Sequence, residues 1–415
     1  MSNIFKIKNN CRLCESRDLM KIVEIGKSPV SEKYSDTYDQ KPEDTTVPLD
    51  LYFCKECFHV QLIHVVDPDF LWDKFTFKTS RNIKLSNHYE NYVKTLINFA
   101  TKTKNNFVVD VGSNDGTLLK IFKNKGIKKI LGVDPAKKIA EEANKNGVKT
   151  IPNYMNLNTS NEIKKNWGLA DFVTANNVYA HIDDMNEVTD AIKNILDKNG
   201  IFSFEVSYLL DVLKKKLLGT IFHEHLSYHS LYPLIKFFKK KGLEIVDVTR
   251  NNLQGGSLVC FAQHRGGPYK ISSNVTNLLK LEKESNLDNI SSFKNFSKSL
   301  SDLKDNLNNT LDKILENKKT IAAFGSARSA TTLIKYFDIA SKINFIVDDN
   351  QEKHFKFTPG DRIRVYPSQE IYKKKIDYLV IFAWEHAEKI IKKHQNFIKE
   401  GGTFINIIPK LELIN

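Results

Sequence analysis

The chain has 415 residues, 41% of them hydrophobic, so it exceeds one ordinary domain and can fill two or three cores. It lacks an apolar run long enough for a signal peptide or a membrane span, and we expect a cytoplasmic protein with no membrane partner. The net charge of +13 is compatible with nucleic-acid binding. Only eight of the 62 basic residues are arginine, however, and arginine makes most base-specific contacts, so we expect no nucleic-acid partner.

Two cysteine pairs lie within the first 57 residues. Each pair has the C-x-x-C spacing, at Cys11 and Cys14 and at Cys54 and Cys57. A tetrahedral Zn²⁺ site takes four thiolates in such short-range pairs, whereas two redox dithiols are the alternative. We predict a structural Zn²⁺ in a zinc-binding domain over residues 1–80.

Strand-like and helix-like segments alternate through residues 81–268. Apolar runs at 106–111, 129–133, 171–175 and 200–205 are separated by helical patterns. Two further runs, 243–249 and 257–263, are joined by an Asn- and Gly-rich segment typical of a hairpin turn. The alternation predicts a doubly wound parallel sheet that ends in an antiparallel pair, the Rossmann-like core of a class I methyltransferase.

A glycine-containing turn follows the first of these strands. Asp110, Gly112 and Gly116 give a D-x-G-x-x-x-G-like pattern, which differs from the G-x-G-x-x-G of NAD sites and from the phosphate loop of NTP sites. An acidic Asp115 would repel a pyrophosphate but not S-adenosylmethionine, and Asp134 ends the next strand, where a carboxylate can bind ribose hydroxyls. The predicted S-adenosylmethionine-binding residues are Asp110, Gly112, Asn114, Asp115, Gly116, Asp134, Asn176 and Asn177.

A dense group of acid–base residues lies between Phe222 and His229. Histidine suits proton abstraction near neutral pH, and an adjacent carboxylate such as Glu224 can orient His225 or share its proton. A metal cluster and a polar helix cap are the alternatives for the same residues. We predict a proton-transfer site here.

The last third of the chain divides into two segments. Residues 269–319 have apolar side chains at helical spacing, which predicts a helical connector. Residues 320–415 alternate again and predict a second, smaller α/β domain, in which Gly325 begins a strand-to-helix turn. The turn alone is compatible with no ligand at all.

Taken together, these motifs resemble the sugar 3-C-methyltransferases of deoxysugar biosynthesis over nearly the full length. The resemblance rests on the cysteine pairs, the 111–116 turn, Ala175 to Ile182 with His181, Glu224 and His225, Gly255 and Gly256, the 325–330 turn, and Phe382 to Glu388. It implies an N-terminal zinc-binding domain, a central methyltransferase domain and a C-terminal domain that helps to hold a sugar nucleotide.

The resemblance also implies a mechanism. His225, assisted by Glu224, removes the C3 proton of a nucleotide-linked 4-keto sugar, and the enolate carbon attacks the methyl group. The implied catalytic residues are His225, Glu224 and His181, and the implied substrate-binding residues are Phe77, Phe222, Gly325, Ser326, Arg328, Trp384 and His386. The resemblance further implies that the phosphates of the sugar nucleotide contact Gly325, Ser326 and Arg328.

Two positions depart from the family pattern. Phe77 and Phe222 stand where antibiotic-sugar enzymes carry tyrosines, and a phenylalanine cannot hydrogen-bond a keto oxygen. Either the substrate differs or another group hydrogen-bonds the keto oxygen, so an O- or N-methyl sugar is an alternative product. A non-catalytic zinc-containing scaffold is a third possibility. The sequence does not identify the nucleotide, the sugar, the stereochemistry or the oligomeric state, and a monomer is compatible with it.

Overall fold

The computed structural model describes residues 4–39, 45–72, 78–104 and 106–415. Its N-terminal region consists of short antiparallel strands, which sequence periodicity did not reveal because most have three residues. Their pairs are β1 with β7, β3 with β4, and β5 with both β2 and β6. The elements are β1 (Phe5–Ile7), β2 (Leu19–Val23), β3 (Lys27–Pro29), β4 (Thr46–Pro48), β5 (Leu51–Cys54), β6 (Val60–Leu62), β7 (His64–Val66) and α1 (Pro68–Trp72).

A seven-stranded sheet forms the central region. Its strand order is β10-β9-β8-β11-β12-β15-β14, parallel except for β15, which runs antiparallel to both neighbours. The elements are α2 (Ile83–Phe99), β8 (Phe107–Val111), α3 (Thr117–Asn124), β9 (Lys129–Val133), α4 (Lys137–Lys145), β10 (Thr150–Ile151), α5 (Leu157–Trp167), β11 (Ala170–Asn176), α6 (Met185–Ile195), β12 (Leu196–Ser207), α7 (Leu209–Lys214), β13 (Ser227–Tyr228), α8 (Leu231–Lys240), β14 (Leu243–Asn251) and β15 (Ser257–His264).

The middle strands of this sheet are buried along their whole length. Every residue of β8 and β11 is buried, as expected where helices cover both faces of a parallel sheet. Their apolar runs end in polar side chains, Asp110 on β8 and Asn176 on β11, and Asp134 follows β9. The fold therefore brings three polar groups to the carboxyl edge of the sheet, where the strand order reverses between β8 and β11.

Two helices lead from the central sheet to a second sheet of six strands. The order of this second sheet is β18-β17-β16-β19-β20-β21, and only β21 is antiparallel to its neighbour. The elements are α9 (Ser273–Glu284), α10 (Ile290–Glu316), β16 (Ile321–Phe324), α11 (Arg328–Phe337), β17 (Ile346–Asp348), β18 (Val365–Pro367), α12 (Glu370–Lys373), β19 (Tyr378–Ile381), α13 (Ala387–Lys393), α14 (Gln395–Lys399), β20 (Thr403–Asn406) and β21 (Glu412–Ile414).

Packing joins the three regions closely. Phe53 of the N-terminal strands lies against Phe293 of α10, with ring centroids 5.1 Å apart, in a core shared with the second sheet. Strand β13 belongs to the central region by sequence but pairs with β6 of the N-terminal region. Each fully buried phenylalanine contributes about 1.5–3 kcal/mol, so these contacts fix the regions against one another.

The expected fold class is confirmed. The central sheet ends in the predicted antiparallel pair, and a second α/β sheet follows two helices, as the alternation indicated. The boundaries at residues 80, 268 and 319 remain a prediction. Among the described residues, no helix combines the length and apolar composition that crossing a membrane requires.

Candidate active site

Four thiols converge in the N-terminal region. The Sγ atoms of Cys11, Cys14, Cys54 and Cys57 all lie within 4.8 Å of one another. The Sγ–Sγ distance is 3.5 Å between Cys11 and Cys57 and also between Cys14 and Cys54. Zn–S bonds of about 2.3 Å at a tetrahedral centre place sulfurs roughly 3.8 Å apart, so this donor set fits Zn²⁺. Four thiolates fill the coordination sphere, which gives the site a structural role.

A cavity of about 490 Å³ opens at the carboxyl edge of the central sheet. It lies where the strand order reverses, the usual ligand site of an open α/β sheet. The N-terminal region closes it, with Val65, Leu71 and Trp72 on its wall. The predicted cofactor residues on the wall are Asp110, Gly112, Asn114, Asp134, Asn176 and Asn177.

The Asp134 carboxylate is held in place by the turn beneath it. Oδ2 accepts a hydrogen bond from the backbone N–H of Asn114 at 2.8 Å, and Oδ1 accepts one from Ala136 at 2.9 Å. Because a carboxylate has about four acceptor positions, each oxygen keeps capacity for a ligand hydroxyl. Burial raises the pKa of Asp134 above its ordinary value, and the two backbone donors oppose that shift.

A second carboxyl group and an amide lie deeper in the cavity. Asp110 accepts from the Thr174 hydroxyl at 2.6 Å, and burial raises its pKa to about 7. Asn176 is buried and lies beside the Tyr92 hydroxyl, but neither atom of its amide makes a hydrogen bond of good geometry among the described residues. Buried amides are ordinarily hydrogen-bonded, so Asn176 is suited to a bound polar ligand.

The glycine turn is shaped by close approach. Gly112 has φ 72°, and a Cβ built on it would lie 2.2 Å from Cγ2 of Val178. Gly116 and Asp115, both predicted to bind cofactor, are not on the cavity wall. Gly116 abuts Val148, where a Cβ would lie 2.8 Å from three side-chain atoms.

The side chains of Asn114 and Asp115 hold the N-terminal region over the cavity. Asn114 Oδ1 accepts from the Thr79 backbone N–H at 2.9 Å, and Asp115 Oδ2 accepts from Ser80 at 3.0 Å. The sequence motif predicted that Asn114 and Asp115 contact the ligand. Their side chains accept these backbone hydrogen bonds from residues 79–80, a long-range contact that the local sequence does not specify. Phe77, two residues before Thr79, lies outside the described residues.

An aromatic stack leads from the cavity to His225. His181 lies on the cavity wall, with its ring centroid 5.7 Å from Trp72 and 5.0 Å from His225. Phe222 covers His225 at 4.0 Å. The structure therefore brings together three of the predicted residues, His181, His225 and Phe222. The sequence analysis missed Trp72, because the segment around it has no periodic pattern.

The hydrogen bond of His225 determines its tautomer. Nδ1 lies 2.8 Å from the carbonyl oxygen of Thr220, and a carbonyl only accepts, so Nδ1 carries the proton. Nε2 then has a free lone pair in the neutral ring. Burial lowers the pKa of His225 to about 4, and the nearby Arg328 charge acts in the same direction.

Glu224 forms a buried ion pair with Arg328. The Arg328 Nε lies 3.0 Å from Oε1 and 2.9 Å from Oε2 of Glu224, whose side chain is 5% exposed. Burial raises the pKa of Glu224, and the arginine charge opposes that shift. Glu224 is on the cavity wall, so the first residue of α11 in the second sheet region reaches the site at the edge of the first.

The turn that begins α11 is filled by protein groups. Ser326 is fully buried, its N–H donates to Asp348 at 2.6 Å and its hydroxyl lies 2.8 Å from the Tyr34 hydroxyl. Its carbonyl accepts from Tyr34 and from Lys353, the latter at 2.6 Å. A Cβ on Gly325 would lie 2.5 Å from that of Ala383. Tyr34 and Lys353 thus contact the polar groups of Ser326, and the expected contacts of Gly325 and Ser326 with a phosphate stay a prediction.

Trp384 and His386 line a second cavity of about 300 Å³. It adjoins the first, since Leu85 and Gln254 lie on the walls of both. Lys84 and Lys215 also line it. Neither lysine was predicted as a site residue: Lys215 belongs to the run 214–216, which is typical of a solvated helix face, and Lys84 lies in no motif.

The strand order, the glycine turn and the acidic residue after the second strand define an S-adenosylmethionine-dependent methyltransferase. Matches to three families agree: a zinc binding domain over residues 11–72, a methyltransferase domain over 86–248 and a C-methyltransferase C-terminal domain over 252–409.

A full-length relative defines the class more narrowly. C-methyltransferase NovU of Streptomyces niveus is 30% identical over 416 aligned positions, which cover 100% of this chain and 99% of NovU. The chain therefore belongs to the C-methyltransferase family that includes NovU.

Solved methyltransferase structures give more distant likenesses. Magnesium protoporphyrin IX methyltransferase of Synechocystis PCC 6803 is 16% identical, covering 44% of this chain and 88% of its own, with a TM-score of 0.34. A methyltransferase of Clostridium acetobutylicum is 14% identical, covering 43% and 92%, with a TM-score of 0.33. The family assignment does not depend on them.

Proposed function

We propose that this enzyme methylates C3 of a nucleotide-linked 4-keto deoxysugar, with His225 as the base that removes the C3 proton. The observation that carries the proposal is the hydrogen bond of His225 Nδ1 with the Thr220 carbonyl, which leaves the lone pair on Nε2. The ring lies next to the Glu224–Arg328 pair, and Glu224 is on the wall of the cofactor cavity. A hydrogen next to a ketone is acidic enough for a positioned imidazole to remove.

The first cavity is the proposed S-adenosylmethionine site. Asp134 would bind the ribose hydroxyls, Asn176 would satisfy its amide on the ligand, and Asp110 would face the cofactor's positive charge. Gly112 would let the backbone come close. When bound, S-adenosylmethionine supplies an electrophilic methyl group.

Three other predicted residues would act on the turn itself. They would shape it and hold residues 79–80 across it; these residues are Asn114, Asp115 and Gly116.

The proposed chemistry uses four side chains, those of His225, Glu224, Arg328 and Phe222. Nε2 of His225 would take the proton from C3, and the C–H electron pair would delocalise into the 4-keto group as an enolate. The enolate carbon would form the new C–C bond to the methyl group as the methyl–sulfur bond breaks, and S-adenosylhomocysteine would leave with the electron pair of that bond. Arg328 pairs with Glu224, so that this carboxylate does not oppose the negative charge that develops on the sugar. Phe222 packs on His225, and burial lowers the pKa of the histidine to about 4, which favours the neutral ring near neutral pH.

The second cavity is the proposed seat of the nucleotide. Lys84 and Lys215 would pair with the diphosphate, and the Trp384 indole offers a face for the base. This placement replaces Gly325 and Ser326 as phosphate contacts, because Ser326 is buried beneath Tyr34. The sugar would then lie between the two cavities, near Gln254.

Product analysis tests the proposal. Wild-type enzyme is incubated with a nucleotide-linked 4-keto deoxysugar and ¹³C-methyl-labelled cofactor, and the product is examined by NMR. A methyl singlet on a quaternary carbon is expected. A label shift typical of O-CH₃ or N-CH₃ would contradict C-methylation, and a labelled product from Trp384→Ala at the wild-type KM would contradict the nucleotide seat.

A further inference from the structure

Arg12 connects the zinc site to the active site. It lies between two of the four clustered cysteines, Cys11 and Cys14, and its side chain is fully buried. Long basic side chains are almost never fully buried unless they are paired. A buried arginine inside a C-x-x-C pair therefore needs an account of its own.

The guanidinium contacts three separate segments. Nη1 donates to the carbonyl oxygens of Leu62 and Leu226, the latter at 3.3 Å, and Nη2 lies 3.2 Å from Oδ1 of Asp183. The backbone N–H of Arg12 donates to Gln61 at 2.9 Å. The planar fork of arginine suits this arrangement, whereas a lysine ammonium could not span all three acceptors.

Two of these partners belong to the active-site segments. Leu226 follows His225 directly, and Asp183 lies two residues after His181. Both Leu226 and Asp183 are on the wall of the cofactor cavity. The third partner, Leu62, ends β6, which pairs with β13 just after Leu226.

We propose that Arg12 is a positioning residue, which the zinc site anchors and which sets the His225 and His181 segments around the cofactor. It does not reach the reacting atoms. The zinc site then has a second role besides stabilising its own region, namely to fix the arginine from which both segments are held. The cofactor part of this inference rests on the proposed site in the first cavity, whereas it needs no particular sugar.

The test compares Arg12→Met with Arg17→Met. Both substitutions remove one positive charge near the cysteines, but Arg17 is exposed. Zinc content, thermal unfolding and calorimetric binding of S-adenosylhomocysteine are measured on the full-length protein. We expect one zinc per chain in both variants, and binding about tenfold weaker in Arg12→Met alone, on the scale of known coupling effects. Wild-type affinity in zinc-loaded Arg12→Met would overturn the proposal.

Three further variants keep the test decisive if Arg12→Met does not fold: Arg12→Lys, Asp183→Asn and the two combined. Arg12→Lys keeps the charge beside Asp183 but loses one carbonyl contact, so its binding should fall between that of wild type and full loss. Asp183→Asn combined with Arg12→Lys should weaken binding by less than the product of the two single effects. Fully multiplicative effects would contradict a shared contact. Because the ligand is S-adenosylhomocysteine, failure of the C3 chemistry would leave this result unaffected.

Discussion

The two sheets of this protein carry the same turn but use it differently. In the central sheet the N–H of Gly112 donates to Val133 at 2.7 Å, and Asp134 accepts from Asn114 and Ala136. In the second sheet the N–H of Gly325 donates to Val347 at 2.8 Å, and Asp348 accepts from Ser326 and Asn350. Both turns follow the first strand and meet an aspartate after or at the end of the second.

What differs is the space beyond the turn and the strand below it. The central turn opens on a cavity with Asp110 on its wall, whereas Ala323 stands at the corresponding place in β16. Tyr34 and Lys353 fill the second turn. A strand–turn–helix with an acidic residue therefore identifies a backbone geometry, and a cofactor site needs an open edge with unpaired polar groups as well.

The largest expected effect comes from replacing His225 near the central sheet, compared with His354 near the second sheet. His225→Ala should lower the rate of methyl transfer by about 10²- to 10⁴-fold, since a positioned base contributes that much. Cofactor affinity should stay within about twofold. The matched variant His354→Ala removes a ring that lies 2.8 Å from the Asp348 carbonyl at the second sheet. Equal rate losses in both variants would contradict the assignment of the base.

The next effect concerns the two aspartates. Asp134→Asn should weaken binding of S-adenosylmethionine by about 10- to 100-fold, because charge-assisted hydrogen bonds contribute about 1.5–3 kcal/mol. Asp348→Asn should leave that affinity within about twofold, although both residues accept from their turns. Calorimetry on the two variants measures this. Similar losses would show that both edges bind the cofactor.

Asp110 predicts a pH dependence confined to the central sheet. Its pKa of about 7 means that the carboxyl gains charge as the pH rises from 6 to 8. The charged form attracts the positive cofactor, so affinity should increase by about fivefold over that interval. The charged fraction itself rises about tenfold between pH 6 and pH 8, which sets the upper limit. Asp110→Asn should abolish the dependence. A decrease in affinity with rising pH would reverse the sign and contradict the account.

The smallest effect tests the filled turn. Tyr34→Phe removes the hydroxyl that contacts Ser326, and its loss should lower the free energy of unfolding by about 1 kcal/mol. Urea denaturation measures the change. Affinity for S-adenosylmethionine should remain that of the wild type. New nucleotide binding in this variant, without loss of stability, would mean that the second turn is a ligand site that Tyr34 blocks.

The sequence pattern predicted those elements whose structure depends on residues close together in the chain. Buried parallel strands such as β8 read as apolar runs, and the turn after β8 and the paired cysteines have short-range spacing. The pairing of β13 with β6 was not predicted, because two-residue strands have no period.

The burial of Ser326 was also missed. Tyr34, which covers it, is 292 positions away in the chain, and no turn chemistry anticipates that contact. Arg12 gave no signal for the same reason, since its partner Leu226 is 214 positions distant. Positions on the cavity wall at a strand end, such as Asp110 and Asn176, were therefore predictable, whereas contacts between regions were not.

Solvent exchange at C3 measures the central claim most directly. Wild-type enzyme and His225→Ala are incubated in D₂O with S-adenosylhomocysteine and a nucleotide-linked 4-keto deoxysugar, and the C3 proton signal is followed by NMR. Wild type should exchange this proton for deuterium, and His225→Ala should do so at least about 100-fold more slowly. Equal exchange in the two proteins, or none in a wild type that methylates the same sugar on oxygen or nitrogen, would contradict the account.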